Sequence, residues 1–234
     1  MACADTLNVA VASNFVSAME PIQRAFEDAS EHKLRIIRGS SGKHYAQIHN
    51  GAPFDVFLSA DQLRPRRLVE EGIAEESGLN TYALGRLVLW SRQNDLLIDR
   101  EYLLNTDNYT VIAMANPRLA PYGQAATEVL RHLGLEPLIS ERVVMGENAA
   151  QAFQFAFSGN ADLGLVAYSQ ALSPKLHGQG AFWLIPSEHH EPIKQDMLIL
   201  TDSTATLEFS AFMKSTAVRD ILLRSGYLLP VRAP

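Results

Sequence analysis

Short apolar runs of strand length alternate with amphipathic stretches along almost the whole chain, and this alternation narrows the available folds more than any other feature. A brief apolar run followed by a helical period is the pattern of βαβ units and a parallel sheet. Leu7 to Ala12 reads as a buried strand, and Val16 to Ser30 places Met19, Ile22, Gln23, Phe26 and Ala29 near one face of a helix. Leu34 to Ile37 is a second strand. Lys43 to Asn50 is a short helix stopped by Gly51 and Pro53, Val56 to Leu58 a third strand, and Gln62 to Glu71 a helix capped by Gly72. Strands follow at 84–90, 110–114, 142–144, 163–166 and 197–200, with helices at 124–133, 149–158 and 205–214. The expected class is α/β.

The 234 residues are enough for one large domain or two lobes of about 100 residues each. No apolar stretch approaches the roughly 18 residues of a membrane helix. The net charge is -6 and the Lys and Arg residues are scattered, so the basic stripe of a nucleic-acid binder is missing. Cys3 is the single cysteine, which rules out an intramolecular disulfide. Ala2-Cys3-Ala4 before Asp5 has the form of the A-x-A end of a secretory signal, which predicts a mature protein outside the cytoplasm; Cys3 as a lipid-bearing cysteine is the alternative.

The recurrent chemical feature is a short polar or Gly-rich turn between a strand and a helix. It occurs at Ser13-Asn14, Gly39-Ser40-Ser41-Gly42, Pro121-Tyr122-Gly123 and Glu147-Asn148, each expected to cap a helix. A helix start carries unpaired N–H groups and a partial positive charge, so several starts aimed at one point make a neutral cage for an anion. Ser and Asn are also the ordinary capping residues, and a single such turn argues for nothing beyond a cap. The double-Ser, double-Gly turn offers more donors than one cap uses.

Longer stretches around these turns are Ala10-Val11-Ala12-Ser13-Asn14-Phe15, Gly39-Ser40-Ser41-Gly42 with Tyr45-Ala46-Gln47-Ile48, and Asn50 through Asp61. Asn116-Pro117, Ala120-Pro121-Tyr122-Gly123 and Ala161 through Ala167 complete the set. Over nearly the whole chain this pattern resembles the periplasmic molybdate-binding proteins. The resemblance implies a type II periplasmic binding-protein fold: two α/β lobes with mixed sheets, joined by a two-crossing hinge, with the ligand in the cleft. The crossings would lie near Tyr82 to Leu84 and Ile193 to Met197, giving one lobe of residues 1–82 plus 198–234 and another of 83–197.

By the same resemblance, Ser13, Asn14 and Ser41, with Ser40, would donate to the oxyanion from one lobe. From the other, Tyr122 and Ala149 would give backbone N–H groups, with Asn148 and Gly123 as further candidates. The implied ligand is molybdate or tungstate, the implied partner an ABC permease, and the implied protein a monomer without a cofactor. Such a cage of donors is cut for large tetrahedral dianions: sulfate is smaller and would be left with overlong bonds, and protonated phosphate would find no acceptor. In part of the family a tyrosine directly follows the Leu-Gly-x-Val run. Here Ala167 holds that place and Tyr168 comes one later, so Tyr168 is not assigned. Lys43 and His44 sit where a cation could approach an anion, although a solvated lysine is the expected outcome.

Enzymatic readings find little support. Gly39 to His44 lacks the spacing of a phosphate loop, and Gly178-Gln179-Gly180 lacks the third glycine of a dinucleotide fingerprint. Glu188-His189-His190-Glu191 holds adjacent side chains that seldom converge on one ion, and there is no G-x-S-x-G elbow. Two other readings remain. The same scaffold could bind sulfate or another small anion, or it could be the sensor domain of a regulator, which would normally come with a DNA-binding segment.

Overall fold

The computed structural model describes residues 4–230, so Ala2 and Cys3 of the Ala2-Cys3-Ala4 triplet lie outside the described residues. In chain order the elements run β1 (Thr6–Ala12), α1 (Val16–Ala29), β2 (Lys33–Gly39), α2 (Ser41–His49), β3 (Val56–Leu58), α3 (Leu63–Glu70) and β4 (Leu79–Gly85). The middle of the chain gives β5 (Leu87–Ser91), α4 (Arg100–Leu104), β6 (Ile112–Ala115), α5 (Pro121–His132), α6 (Glu136–Ile139), β7 (Val143–Gly146) and α7 (Ala149–Ser158). It ends with β8 (Leu163–Ala167), α8 (Tyr168–Ala171), β9 (Ala181–Leu184), β10 (Ile193–Ile199), α9 (Thr204–Phe212) and α10 (Thr216–Arg224). The chain divides into two compact units, Met1–Leu84 with Lys194–Pro234, and Gly85–Ile193.

The first unit is built on a five-stranded sheet of order β2-β1-β3-β10-β4. Strands β1, β2 and β3 are parallel and β10 runs antiparallel to β3. Helix α1 lays Ala18, Met19, Ile22 and Phe26 into the core, with Phe26 edge-on to Phe209 of α9 at 5.2 Å. Burying each of the larger side chains contributes about 1.5–3 kcal/mol. Strands β4 and β10 are also joined by side chains, since Thr81 donates to the buried Asp196 carboxylate at 2.6 Å and Gln62 adds a bond at 3.1 Å. Burial outweighs these bonds and raises the pKa of Asp196 above the usual carboxylate value.

The second unit repeats the plan with order β7-β6-β8-β5-β9. Strands β6, β7 and β8 are parallel, and β5 is antiparallel to β8 and β9. Trp90 of β5 is buried against Phe153 of α7, their rings 5.0 Å apart.

Most expected elements are present, and the differences have local causes. The single strand expected over 84–90 is two strands in two sheets, because the chain leaves one unit for the other at Gly85-Arg86, between Leu84 and the apolar run that starts at Leu87. Helix α2 begins at Ser41 rather than Lys43, and α5 at Pro121 rather than Gln124, so residues read as turns already belong to first helical turns. The short α4, α6 and α8 and strand β9 carry too few periodic residues to have stood out, whereas α10, with Val218, Ile221 and Leu222 on one face, was missed despite a clear period.

Candidate functional site

In each unit two adjacent parallel strands end level with one another, and each is followed by a helix start. In the first unit Ala12 pairs with Gly39 across β1 and β2, so Ser13 and Ser40 leave the same sheet edge on strands about 4.8 Å apart. In the second, Ala115 pairs with Gly146 across β6 and β7, which sets the segment leading to α5 beside the start of α7. The carboxyl ends of parallel strands are where α/β sheets hold ligands, because helix N-termini gather there.

Ser13, Asn14 and Phe15 form a 3-10 turn ahead of α1, and neither the turn nor the helix has a side-chain cap. This departs from the expectation that Ser13-Asn14 would cap the helix. Asn14 is only 2% exposed, and its side-chain amide donates to Gln195 Oε1 and to the Tyr227 hydroxyl, both at 3.1 Å. Those two bonds use both hydrogens of the side-chain amide, so the Asn14 side chain has no donor left for an outside acceptor.

The Gly39–Gly42 turn is tighter than its sequence suggests, because only Ser40 caps α2, accepting from the Lys43 N–H at 3.3 Å. Ser41 is 1% exposed, and its Oγ accepts from the Ala60 N–H at 2.9 Å. That bond occupies a lone pair and biases the hydroxyl toward donating. His44 is buried with Nε2 at 3.2 Å from the Val11 carbonyl, and burial holds its pKa below the ordinary histidine value. It is a neutral structural residue, and its ring fills the space a side chain at Gly39 would need. Lys43 is exposed.

In the second unit α5 starts after Ala120 with no side-chain cap. Pro121 has no N–H, so the first N–H of the helix belongs to Tyr122, while that of Gly123 donates to the Ala120 carbonyl at 2.9 Å. A Cβ on Gly123 would lie 2.2 Å from the Ala115 carbonyl oxygen, so only glycine lets the helix start sit on the end of β6. Helix α7 follows the same rule, since a Cβ on Gly146 would lie 2.5 Å from the Ala152 nitrogen. Asn148 caps α7, its Oδ1 accepting from Ala150 and Gln151 at 3.0 and 3.1 Å, which leaves the N–H of Ala149 outside the cap. Gln170 holds the Ala149 carbonyl at 3.1 Å.

Tyr168 opens α8 with its ring under the Arg86 guanidinium at 4.5 Å and beside Phe182 at 5.2 Å. His189 of the 188–191 segment stacks on His132 at 4.3 Å, and no cluster of three or more metal-ligating side chains occurs among the described residues. Sequence reasoning did not find Gln195, Tyr82 or Tyr227, which hold the 13–15 turn. They lie 68 to 213 residues from Asn14 in the chain, and no local motif marks them.

A family model described as bacterial extracellular solute-binding protein matches residues 7–228. The molybdate-binding protein ModA of Rhodobacter capsulatus is 39% identical over 97% of this chain and 90% of its own length. ModA of Azotobacter vinelandii is 40% identical over 94% of this chain and 89% of its own. The solved structure of an Azotobacter vinelandii periplasmic molybdate-binding protein superposes with a TM-score of 0.91 at 38% identity, covering 96% of this chain and all of that one.

Proposed function

Because the chain belongs to the bacterial extracellular solute-binding protein family, we propose that it captures molybdate and tungstate in the periplasm and delivers them to an ABC permease. The observation that carries this reading is the level pairing of two helix starts in each unit, at Ala12–Gly39 and Ala115–Gly146. The donors on these starts are neutral: Ser13, the Asn14 N–H, Ser40 and Ser41 from one unit, the N–H groups of Tyr122 and Ala149 from the other. A tetrahedral dianion brings its own charge, and fixed N–H and O–H groups replace its hydration shell with defined geometry. Asn148 and Gly123 shape the helix starts without donating to the ligand. The two units act as the lobes of a monomeric binder, without catalysis, cofactor or nucleic-acid partner.

A thermal-unfolding scan of desalted protein with molybdate, tungstate, sulfate or phosphate tests this. Ligand at about 100 times its dissociation constant adds roughly 2.7 kcal/mol, and the midpoint should rise by about 5–10 °C with molybdate and tungstate but little with sulfate or phosphate. A flat response to both metal oxyanions, with co-purified ligand excluded, overturns the reading.

Ser41→Ala is expected to weaken molybdate binding by roughly 1–3 kcal/mol, the range for loss of a donor to a charged group. The same change strands the Ala60 N–H, which is bonded to Ser41 Oγ at 2.9 Å in a residue 2% exposed, so the ligand-free protein should also melt earlier. Titration calorimetry and a melt of the apo protein read the two effects separately. Unchanged affinity would remove Ser41 from the site.

A further inference from the structure

We propose that Tyr227, acting with Gln195, is a positioning residue for oxyanion capture: it fixes the 13–15 turn and sets selectivity without touching the ligand. The inference rests on the molybdate reading above and adds to it a residue outside the helix starts. Helix N-termini normally hold their own geometry through a capping side chain, but the 13–15 turn and α1 have none. Residues remote in sequence take over that work.

The Tyr227 hydroxyl donates to the Asn14 backbone carbonyl at 2.9 Å and accepts from the Asn14 side-chain amide at 3.1 Å. One hydroxyl therefore pins both the peptide plane after Asn14 and its side chain. In a trans peptide the carbonyl and the next N–H point opposite ways, so holding the Asn14 carbonyl sets the direction of the Phe15 N–H and, through the Asn14 Cα, restricts the preceding peptide that carries the Asn14 N–H. Gln195 Oε1 takes the other amide hydrogen of Asn14, and the Tyr82 hydroxyl lies 3.0 Å from the same oxygen. The rings of Tyr82 and Tyr227 meet Phe15 edge-on, with centroids at 4.8 and 5.4 Å. Asn14, Phe15, Gln195 and Tyr227 are each no more than 2% exposed, so water does not compete for these bonds.

A cage that discriminates by size needs donors held to a few tenths of an ångström, and a turn free to rock would adapt to the smaller sulfate. The Tyr227 hydroxyl supplies that stiffness from the segment after α10, at the far end of the sequence from the turn it holds.

Tyr227→Phe in the full chain keeps the ring against Phe15 and removes only the hydroxyl. Molybdate affinity should fall by about tenfold, the scale of one hydrogen bond, and the preference for molybdate over sulfate should shrink, both read by titration calorimetry. Tyr109→Phe is the control, since it deletes an equally buried hydroxyl bonded to the Leu103 carbonyl at 2.9 Å in the other unit. It should lower the apo melting temperature by a similar amount and leave affinity and selectivity unchanged. Affinity and selectivity of Tyr227→Phe within about twofold of the unsubstituted protein, or an equal loss in Tyr109→Phe, overturns the proposal. If Tyr227→Phe does not fold, Gln195→Met removes the other partner of the Asn14 amide; a comparable loss supports the proposal and unchanged binding overturns it. A protein that binds no molybdate before any substitution overturns the oxyanion reading itself, whereas one that binds it and ignores these changes overturns this proposal alone.

Discussion

Asn14→Asp should reduce molybdate affinity at neutral pH by at least about a hundredfold, the largest loss expected from a single isosteric change in this protein. The substitution exchanges an amide that donates twice for a carboxylate that cannot donate at all. The Gln195 oxygen, 3.1 Å away, then faces another oxygen. The new charge sits at a position 2% exposed and next to the backbone N–H proposed to meet a dianion. An uncompensated buried charge costs roughly 3–5 kcal/mol, so the apo protein should also be less stable.

The pH dependence separates this account from simple misfolding. Burial raises the pKa of a carboxyl, so the introduced group should stay protonated to a higher pH in the folded protein than in the unfolded one. A group of that kind destabilises the folded state above its unfolded pKa, and stability returns as pH falls and the proton is taken up. Binding and melting temperature should therefore both recover on acidification from neutral pH, and by more than in the unsubstituted protein, since the buried carboxyl of Asp196 is common to both. Calorimetric titration and melts at two pH values read this; affinity within about fivefold of the unsubstituted protein at neutral pH would sink the account.

Gly123→Ala should disrupt the second unit without deleting any proposed donor. The added methyl would sit 2.2 Å from the Ala115 carbonyl oxygen and 2.8 Å from the Asn116 carbonyl carbon, and both are backbone atoms that no rotamer change can move. Helix α5 must lift away from the end of β6, which carries the Tyr122 N–H with it. Overpacking of this kind costs about 2–4 kcal/mol, so the melting temperature should fall by roughly 5–15 °C. Binding should fall further than the melt alone implies, because misplacing a donor by an ångström costs more than losing general stability. Circular dichroism melts with calorimetry check both; an unchanged melting temperature would mean that α5 does not rest on β6 as described.

The α/β class and the main helices were legible because strand-length apolar runs and helical periods repeat along the chain, whereas the division into two mixed sheets was implied only by the family resemblance. All four strand-to-helix turns lie at helix starts, but only two supply the side-chain cap expected of them, Ser40 on α2 and Asn148 on α7. The first turn was not legible in detail. Ser13-Asn14 has the composition of a cap, yet Asn14 turns inward to Gln195 and Tyr227, and a partner 213 residues away leaves no periodic signal. His44 was ambiguous for the same reason: beside Lys43 it reads as a possible cation, whereas its burial lowers its pKa below the ordinary histidine value. The break at Gly85-Arg86 was passed over because two residues between apolar ones do not by themselves mark a change of sheet.

The paired strand ends have an evolutionary consequence. A receptor that places part of its grip in main-chain N–H groups, as proposed for Asn14, Tyr122 and Ala149, insulates that part from most side-chain drift, because nearly every coded residue carries the same amide. Its weak points are few: proline, which deletes the amide, and any replacement of the glycines at 123 and 146 that let helix and strand touch. Outside those positions and the three serines, a change of side chain leaves the proposed donors in place.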